Sequence, residues 1–171
     1  ANSLETAELC KKYYNSHVDE IIHLAVDENL FYPRERDNPT KLVLTSTAGK
    51  RHKGSHLLGE IQTVLNHGHG HYFILDMKCD LDEEAKWFKH VDMFILLSSH
   101  EGFAYSVLEA MCADLPVITG PHGIGYELQD KGIINVLEED RLWDTREVVK
   151  EIKRVFDEDK NNKIFHRLDG R

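Results

Sequence analysis

Short apolar segments alternate with amphipathic segments along most of this chain, and that alternation constrains its fold more than any other feature. The apolar segments have the length of strands and lie at 41–46, 72–77, 92–99, 116–119 and 132–137. The segments with helical spacing lie at 56–67, 81–90, 105–113 and 145–159. Strands that are apolar on both faces and alternate with helices are typical of a parallel sheet covered on both sides. We therefore predict a Rossmann-like, three-layer α/β/α domain with a mainly parallel sheet.

Residues 1–40 precede this regular pattern. Apolar spacing predicts a short amphipathic helix at 5–15, and the apolar run at 20–26 predicts a strand. A polar connector that contains proline follows at 27–40. We expect the helix and the strand to pack on a domain formed by residues 41–171.

The composition argues against several classes of protein. The 171 residues suffice for one domain, and a formal charge of −9 argues against nucleic-acid binding, because an acidic surface repels the phosphate backbone. The three cysteines are far apart and form no CxxC pair, so we expect neither a disulfide framework nor a structural zinc site. The longest strictly apolar run, at 93–97, is too short to span a bilayer, and residues 1–14 resemble no signal peptide. We expect a cytoplasmic protein without a transmembrane segment, and peripheral membrane contact stays open.

The ligand site of an open parallel sheet lies at the carboxyl ends of its strands. In this sequence the predicted strands end near Ser46, Met77, Ser99 and Thr119. Glycine, histidine, lysine and glutamate residues concentrate after those points. The site is therefore predicted among the residues that follow these strands.

Three histidines alternate in a polar segment, at His67, His69 and His71. Such spacing can place imidazoles on one face of an extended segment, where they could bind a metal. No cysteine or HxxxH pair lies nearby, and we favour a solvated turn after a helix. We expect no metal site.

The stretch SSHEGFAYSVLEAM, at 98–111, carries two glutamates on either side of a predicted helix start. The first-turn amides of that helix would suit a phosphate, and Gly102 lets a ligand approach the backbone closely. Glu109 would lie roughly 6 Å along the helix axis, which resembles the distance from a pyrophosphate to the ribose of its nucleotide. A carboxylate accepts two hydrogen bonds and suits the cis-diol of a ribose. Glu101 could accept hydrogen bonds from the hydroxyl groups of whatever the diphosphate carries.

Residues 101–119 resemble the EGFG-x4-EAM-x-x-G-x-PVI segment of retaining glycosyltransferases with the GT-B fold, and Glu101 and Glu109 match its E-x7-E motif. Five further segments resemble motifs of the same family in the same order. They are the NS-x-x-T segment at 1–14, the GVD-containing linker at 21–33, the Lys-Gly phosphate loop at 50–54, the ADV-F strand at 90–99 and the GG-x-x-E loop at 120–128. The chain is similar to the C-terminal, donor-binding domain of family 4-like enzymes, the glycosyl transferases group 1.

The resemblance implies a role for each matched residue. Glu101 and Lys53 would be the catalytic residues, with Glu101 on the hydroxyls of the donor sugar and Lys53 on the diphosphate. Lys50 and Arg51 would help Lys53, and Glu109 would hold the ribose. Backbone amides would complete the anion site, at Gly102, Phe103, Ala104, Ser106 and Val107.

The implied activity is transfer of a sugar from a nucleotide-diphosphate sugar to a glycan, lipid or protein, with the anomeric configuration retained. Cationic side chains, without a metal or another cofactor, would stabilise the leaving diphosphate. The family's N-terminal acceptor domain is absent from these residues. Residues 1–40 would then be a segment of the interdomain-linker type, and the chain would be inactive alone.

The sequence departs from the family pattern in two ways. Ala48 stands where an arginine is usual, and Ala104 and Asp114 stand where glycines are usual. Between 77 and 92, only about fifteen residues replace a βα unit that helps to form the nucleobase pocket. Two alternatives stay open: a non-catalytic nucleotide-sugar-binding or interaction module, and a phosphorylase or epimerase of the same fold.

Overall fold

The structure is a computed structural model that describes residues 1–34, 39–67, 71–77 and 81–162. Its strands are β1 (Lys41–Thr45), β2 (Tyr72–Asp76), β3 (Met93–Leu96), β4 (Val117–Thr119) and β5 (Asn135–Val136). Its helices are α1 (Leu4–Tyr14), α2 (Leu58–Leu65), α3 (Leu81–Phe88), α4 (Tyr105–Cys112), α5 (Ile124–Leu128), α6 (Glu139–Leu142) and α7 (Thr145–Asn162). Short 3₁₀ turns occupy Arg51–Lys53 and Gln129–Lys131.

The five strands form one parallel sheet in the order β2-β1-β3-β4-β5. From β1 the chain moves outward to β2 and then crosses back to place β3 on the other side of β1. The winding direction therefore reverses between β1 and β3. In open α/β sheets, such a reversal leaves a crevice at the carboxyl ends of the two strands, where ligands bind.

Successive side chains of each strand enter two separate apolar layers. In β3, Phe94 and Leu96 pack into the layer that contains residues of α3, α4 and α5. Met93 and Ile95 pack into the opposite layer, which contains residues of α2 and α7. A strand buried on both faces needs an unbroken apolar sequence, which explains the run at 93–97. The predicted three-layer α/β/α fold with a parallel sheet is confirmed.

Side-chain caps define where two of the helices begin. The Ser3 hydroxyl accepts a hydrogen bond from the Thr6 N–H at 3.1 Å, which caps α1. The Asp144 carboxylate accepts one from the Arg146 N–H at 2.8 Å before α7. Both residue types are preferred at this position because they satisfy amides that the helix leaves unpaired.

Among the described residues, no helix is long and apolar enough to cross a bilayer.

The strand predicted at 20–26 does not form. Residues 15–27 contain no helix or strand, and the Ile22 N–H bonds only to the Ala1 carbonyl at 2.9 Å. Ile22 and Leu24 are exposed, so their alternation does not mark a buried face.

The helix predicted at 5–15 is present as α1. The helices α5 and α6 are not predicted, since four or five residues are too few to show a helical period.

Replacing Ala48 by glycine tests the backbone conformation of the loop after β1. Ala48 is exposed and has a φ of 49°, in the left-handed region that disfavours residues with a Cβ. We expect Ala48→Gly to raise the free energy of unfolding by about 0.5–1 kcal/mol, since glycine's extra entropy in the unfolded chain offsets part of the relief. Urea denaturation measures this. The control Ala7→Gly, inside α1, should lower stability by about 1 kcal/mol; a similar loss for Ala48→Gly would contradict the prediction.

Candidate functional site

An ion pair joins the loops that follow β1 and β3, at the reversal point of the sheet. The Lys53 ammonium lies 2.9 Å from the Glu101 carboxylate. The Lys53 side chain is 25% exposed and that of Glu101 is 15% exposed. The structure thus brings together the two residues predicted to be catalytic. Both charges are largely shielded from water, which strengthens their mutual attraction.

Close packing fixes the position of the turn that carries Lys53. Gly54 has a φ of 79°, and a Cβ built on it would lie 2.8 Å from the Leu97 Cβ. Only glycine lets the turn lie this close to the end of β3. The Ser99 N–H also donates to the His52 carbonyl at 2.9 Å. These contacts hold Lys53 beside the loop that contains Glu101.

The start of the β1 loop is fixed by a carboxylate at the end of β2. Asp76 accepts hydrogen bonds from the Thr47 N–H at 2.8 Å and from its hydroxyl at 2.6 Å. Lys50 and Arg51 follow this anchor and are exposed. Neither forms an ion pair with any residue that the structure describes. Both cations therefore remain available to an anion at this edge of the sheet.

The loop after β3 leads into the first turn of α4. Gly102 is exposed, whereas Phe103 and Ala104 are buried, and Ala104 has a φ of 65°. No side chain caps α4. Within the described ranges, no hydrogen-bond acceptor is recorded for the N–H groups of residues 103–106. Free amides at the start of a helix, together with the helix dipole, suit an anion.

Ser106 and Val107 occupy the first turn of α4, where Ser106 is partly exposed and Val107 is buried. The Val107 N–H already donates to the Ala104 carbonyl at 3.0 Å. Its amide is therefore engaged in the turn, whereas that of Ser106 is not. Of these two predicted anion-binding amides, the structure leaves the one at Ser106 open.

Glu109 is paired with a second carboxyl group. Glu109 lies on α4 and is only 2% exposed, and its side chain interacts with Glu84 of α3. Burial, which disfavours the charged form, raises the pKa of Glu109 to about 8, and the charge and hydrogen bond of Glu84 contribute to the same shift. The pair therefore keeps a proton to a higher pH than an exposed carboxyl group does, and a protonated carboxyl group can donate one hydrogen bond as well as accept others. No sequence pattern singles out Glu84.

The first turn of α1 contacts the loop after β3. The Ser3 hydroxyl donates to the Gly102 carbonyl at 2.7 Å, and the Thr6 hydroxyl donates to the same oxygen at 3.0 Å. Sequence reasoning identifies these residues only as part of the NS-x-x-T segment. Their contacts with Gly102 join residues 99 and 96 positions apart and leave no local pattern.

Two further carboxylates tie α1 to α5 and to the loop that precedes it. Glu127 accepts a hydrogen bond from the Leu4 N–H at 2.7 Å, and its other oxygen lies 2.9 Å from His23. Glu5 accepts one from the Gly123 N–H and lies 3.1 Å from His122. Residues 1–6 are therefore fixed against both loops at the ligand edge.

The histidines near this edge have ordinary polar partners. His100 stacks on His52 with ring centroids 5.0 Å apart and lies 2.9 Å from the Ser99 hydroxyl. His122 lies between Glu5 and Glu139, the latter at 2.7 Å. In the described part of the chain, no cluster of three or more His, Cys, Asp or Glu side chains could hold a metal. His69, part of the alternating histidine segment, lies outside the described residues.

Comparison with known families gives a match over most of the chain. The family model described as "Glycosyl transferases group 1" matches residues 48–167. The matched range begins in the loop after β1, extends through α7 and includes every predicted site residue. No curated protein matches the sequence.

Solved structures of similar fold include three that share 16% of their residues with this chain. The C-terminal domain of a glycosyl transferase group 1 family protein (LpcC) from Francisella tularensis has a TM-score of 0.59, with 80% of this chain and 90% of that chain covered. Sucrose-phosphate synthase from Thermosynechococcus elongatus has a TM-score of 0.72, with 91% of this chain and 48% of that chain covered. A GtfA/B complex has a TM-score of 0.60, with 89% of this chain and 36% of that chain covered. The chain therefore spans less than half the length of the two larger proteins.

The raised pKa of Glu109 predicts how stability depends on pH. The raised pKa of about 8 lets Glu109 keep its proton in the folded chain, whereas in the unfolded chain Glu109 releases it near its ordinary pKa of 4.5. This stabilising contribution is complete below that lower value and is lost as the pH rises toward 8. Glu109→Gln removes the ionisable group. We expect the free energy of unfolding of the variant, relative to the wild type, to increase between pH 5 and pH 8.

Urea denaturation at several pH values measures this difference. All other titrating groups outside the Glu84–Glu109 pair are common to both proteins and largely cancel in it. Glu60→Gln, at an exposed position of α2, serves as the matched control and should show a much smaller change. An equal difference for Glu109→Gln at pH 5 and pH 8 would show that Glu109 is already ionised in the folded state.

Proposed function

The chain belongs to the glycosyl transferases group 1 family, and on this premise we propose that it binds the nucleotide-diphosphate sugar donor of a retaining glycosyl transfer. The main support is the Lys53–Glu101 pair, which joins the ends of β1 and β3 at the reversal point of the sheet. The open amides before α4 lie on the same loop as Glu101. A cation, a carboxylate and free amides at one place suit a ligand that has both phosphates and hydroxyl groups.

Lys53 binds the diphosphate in this proposal. Its ammonium, with the exposed Lys50 and Arg51, provides fixed positive charge where negative charge develops on the leaving diphosphate. The reaction then needs no metal. In the donor-free protein, Glu101 neutralises Lys53. When the diphosphate takes over the ammonium, the Glu101 carboxylate is released to accept hydrogen bonds from the donor sugar.

Glu109 binds the ribose through its pair with Glu84. A carboxyl pair that holds one proton offers both a donor and several acceptors, so it can bond both hydroxyls of a cis-diol. The burial of Glu109 also makes an unpaired charge there costly. The ribose therefore meets a neutral or singly charged pair instead of two carboxylates.

Catalysis needs an acceptor-binding domain in the parent protein. The described site contains groups for a donor, and residues 1–40, which resemble the family's linker segment, would connect it to such a domain. The chain spans 48% of sucrose-phosphate synthase. We propose that an N-terminal domain of the parent protein supplies the acceptor, and that the chain alone does not transfer sugar. A soluble, cytoplasmic location fits this role.

A second candidate is a non-catalytic module that binds a nucleotide sugar. It is favoured by Ala48, which leaves the β1 loop without the arginine usual at that position. Lysine and arginine hold phosphate in different ways, so Lys50 does not simply replace it. Sugar transfer, or hydrolysis of the donor, by the parent protein would exclude this candidate.

Nucleoside diphosphates should stabilise the protein against heat. At a concentration of 100 times the dissociation constant, binding adds about 2.7 kcal/mol, or roughly 5–10 °C in Tm for a chain of this size. UDP, GDP and ADP are tested separately, because the sequence does not identify the base. The absence of a Tm shift with all three would exclude the proposed donor site.

Two variants separate the roles of the ion pair. We expect Lys53→Ala to weaken diphosphate binding by roughly tenfold or more, the effect of losing a charge-assisted hydrogen bond. Glu101→Gln should leave diphosphate affinity unchanged or higher, because it removes a competitor for Lys53, and should weaken binding of the nucleotide sugar. Lys150→Ala, at an exposed position on α7, is the control. Isothermal titration calorimetry measures all three; equal losses for Lys53→Ala and Lys150→Ala would contradict the role of Lys53.

A further inference from the structure

We propose that Thr6 and Ser3 are positioning residues for donor binding. Their hydroxyl groups hold the Gly102 carbonyl, and this orients the amides of the loop after β3 toward the donor. The proposal rests on the donor-binding function given above. It assigns to the first turn of α1 a role that reaches the site without touching the ligand.

Peptide geometry connects the carbonyl contact to the amide direction. In a trans peptide, the C=O and the N–H of the same unit point in opposite directions. The Gly102 carbonyl points at the hydroxyls of Ser3 and Thr6, so the Phe103 N–H points away from α1. The Phe103 carbonyl accepts a hydrogen bond from the Ile124 N–H at 2.9 Å. The Ala104 N–H therefore points away from the start of α5.

These two amides have the character of ligand-binding groups. No acceptor within the described ranges is recorded for the N–H of Phe103 or of Ala104. Both residues are largely buried, at 4% and 6% exposure. Backbone N–H groups near the interior normally have a partner, since leaving one unpaired costs free energy. A donor oxygen would supply that partner.

The first turn of α1 is rigid enough to act as the anchor. Ser3 is fully buried and caps its own helix through the Thr6 N–H. Glu127 holds the Leu4 N–H, and Glu5 holds the Gly123 N–H. Movement of Thr6 away from Gly102 would therefore disturb several hydrogen bonds at once.

The loop is also confined by the backbone that precedes α5. Gly123 has a φ of 56°, and a Cβ built on it would lie 2.8 Å from the carbonyl carbon and oxygen of Phe103. The backbone before α5 thus packs directly on the Phe103 peptide. Two carbonyls in succession are fixed by neighbouring elements, so the amides of the same two peptide units point away from those elements.

Thr6 is the better residue for a test, because Ser3 also caps α1. Thr6→Val keeps the shape of the side chain and removes the hydroxyl, whereas Thr6→Ser keeps the hydroxyl. Thr63→Val is the matched control: its hydroxyl makes the same kind of bond, to the Gly59 carbonyl at 2.8 Å, on α2. Each valine variant loses one hydroxyl-to-carbonyl bond, but only the bond of Thr6 holds the loop after β3.

Calorimetric titration with UDP, GDP, ADP and their glucose conjugates measures the effect. We expect Thr6→Val to weaken the binding of whichever nucleotide the wild type binds by about fivefold, the worth of one neutral hydrogen bond. Thr6→Ser should restore most of the affinity, and Thr63→Val should bind as the wild type does. Equal affinity of Thr6→Val and wild type, or a loss in Thr6→Ser as large as that in Thr6→Val, would overturn the proposal.

Amide chemical shifts give a measurement that does not depend on the donor. In ¹H–¹⁵N spectra without ligand, the Phe103 and Ala104 signals should move in Thr6→Val and stay in place in Thr63→Val. If the wild type binds none of the six nucleotides, the donor-binding function falls. Moved signals would then support control of the loop by Thr6 alone, and unmoved signals would overturn that as well.

Discussion

The burial of β3 between two apolar layers is the constraint on which the rest of the structure depends. This strand pairs with β1 on one side and β4 on the other, and its residues 93–96 are almost fully inaccessible to water. The three strands run in parallel, so their following loops must emerge at the same edge. The convergence of Lys53, Glu101 and Gly123 is a consequence of that arrangement and of the short connections to each strand.

The sequence predicts the elements whose signal is local and repeated. The five strands and the main helices follow from apolar runs and helical spacing, because burial on two faces requires continuous apolar residues. The run at 20–26 shows the same apolar character, yet it has no neighbouring strand to extend and its Ile22 side chain is exposed. The hydropathy of a segment indicates whether it could form a buried strand, but a neighbouring strand must also be available to pair with it.

The site is predicted only in part, for a similar reason. Lys53 and Glu101 each follow a predicted strand, which is enough to expect them at the same edge of the sheet, but the adjacency of those strands is seen only in the structure. The contact of Glu109 with Glu84 depends on how α4 packs against α3, and that of Thr6 with Gly102 joins residues 96 positions apart. Such contacts depend on how whole helices and loops pack against each other, and the pattern of residues along the sequence does not reveal that packing.

The Lys53–Glu101 pair also limits which ligands can bind in the crevice of the proposed site. A simple anion that attracts the ammonium leaves a mostly buried carboxylate without its counter-charge, which is costly. A hydroxyl compound without negative charge must compete with the ammonium for the carboxylate. A ligand with both kinds of group compensates both ends of the pair at once. In the proposed donor site, the pair would therefore favour such a ligand over inorganic phosphate or a free sugar.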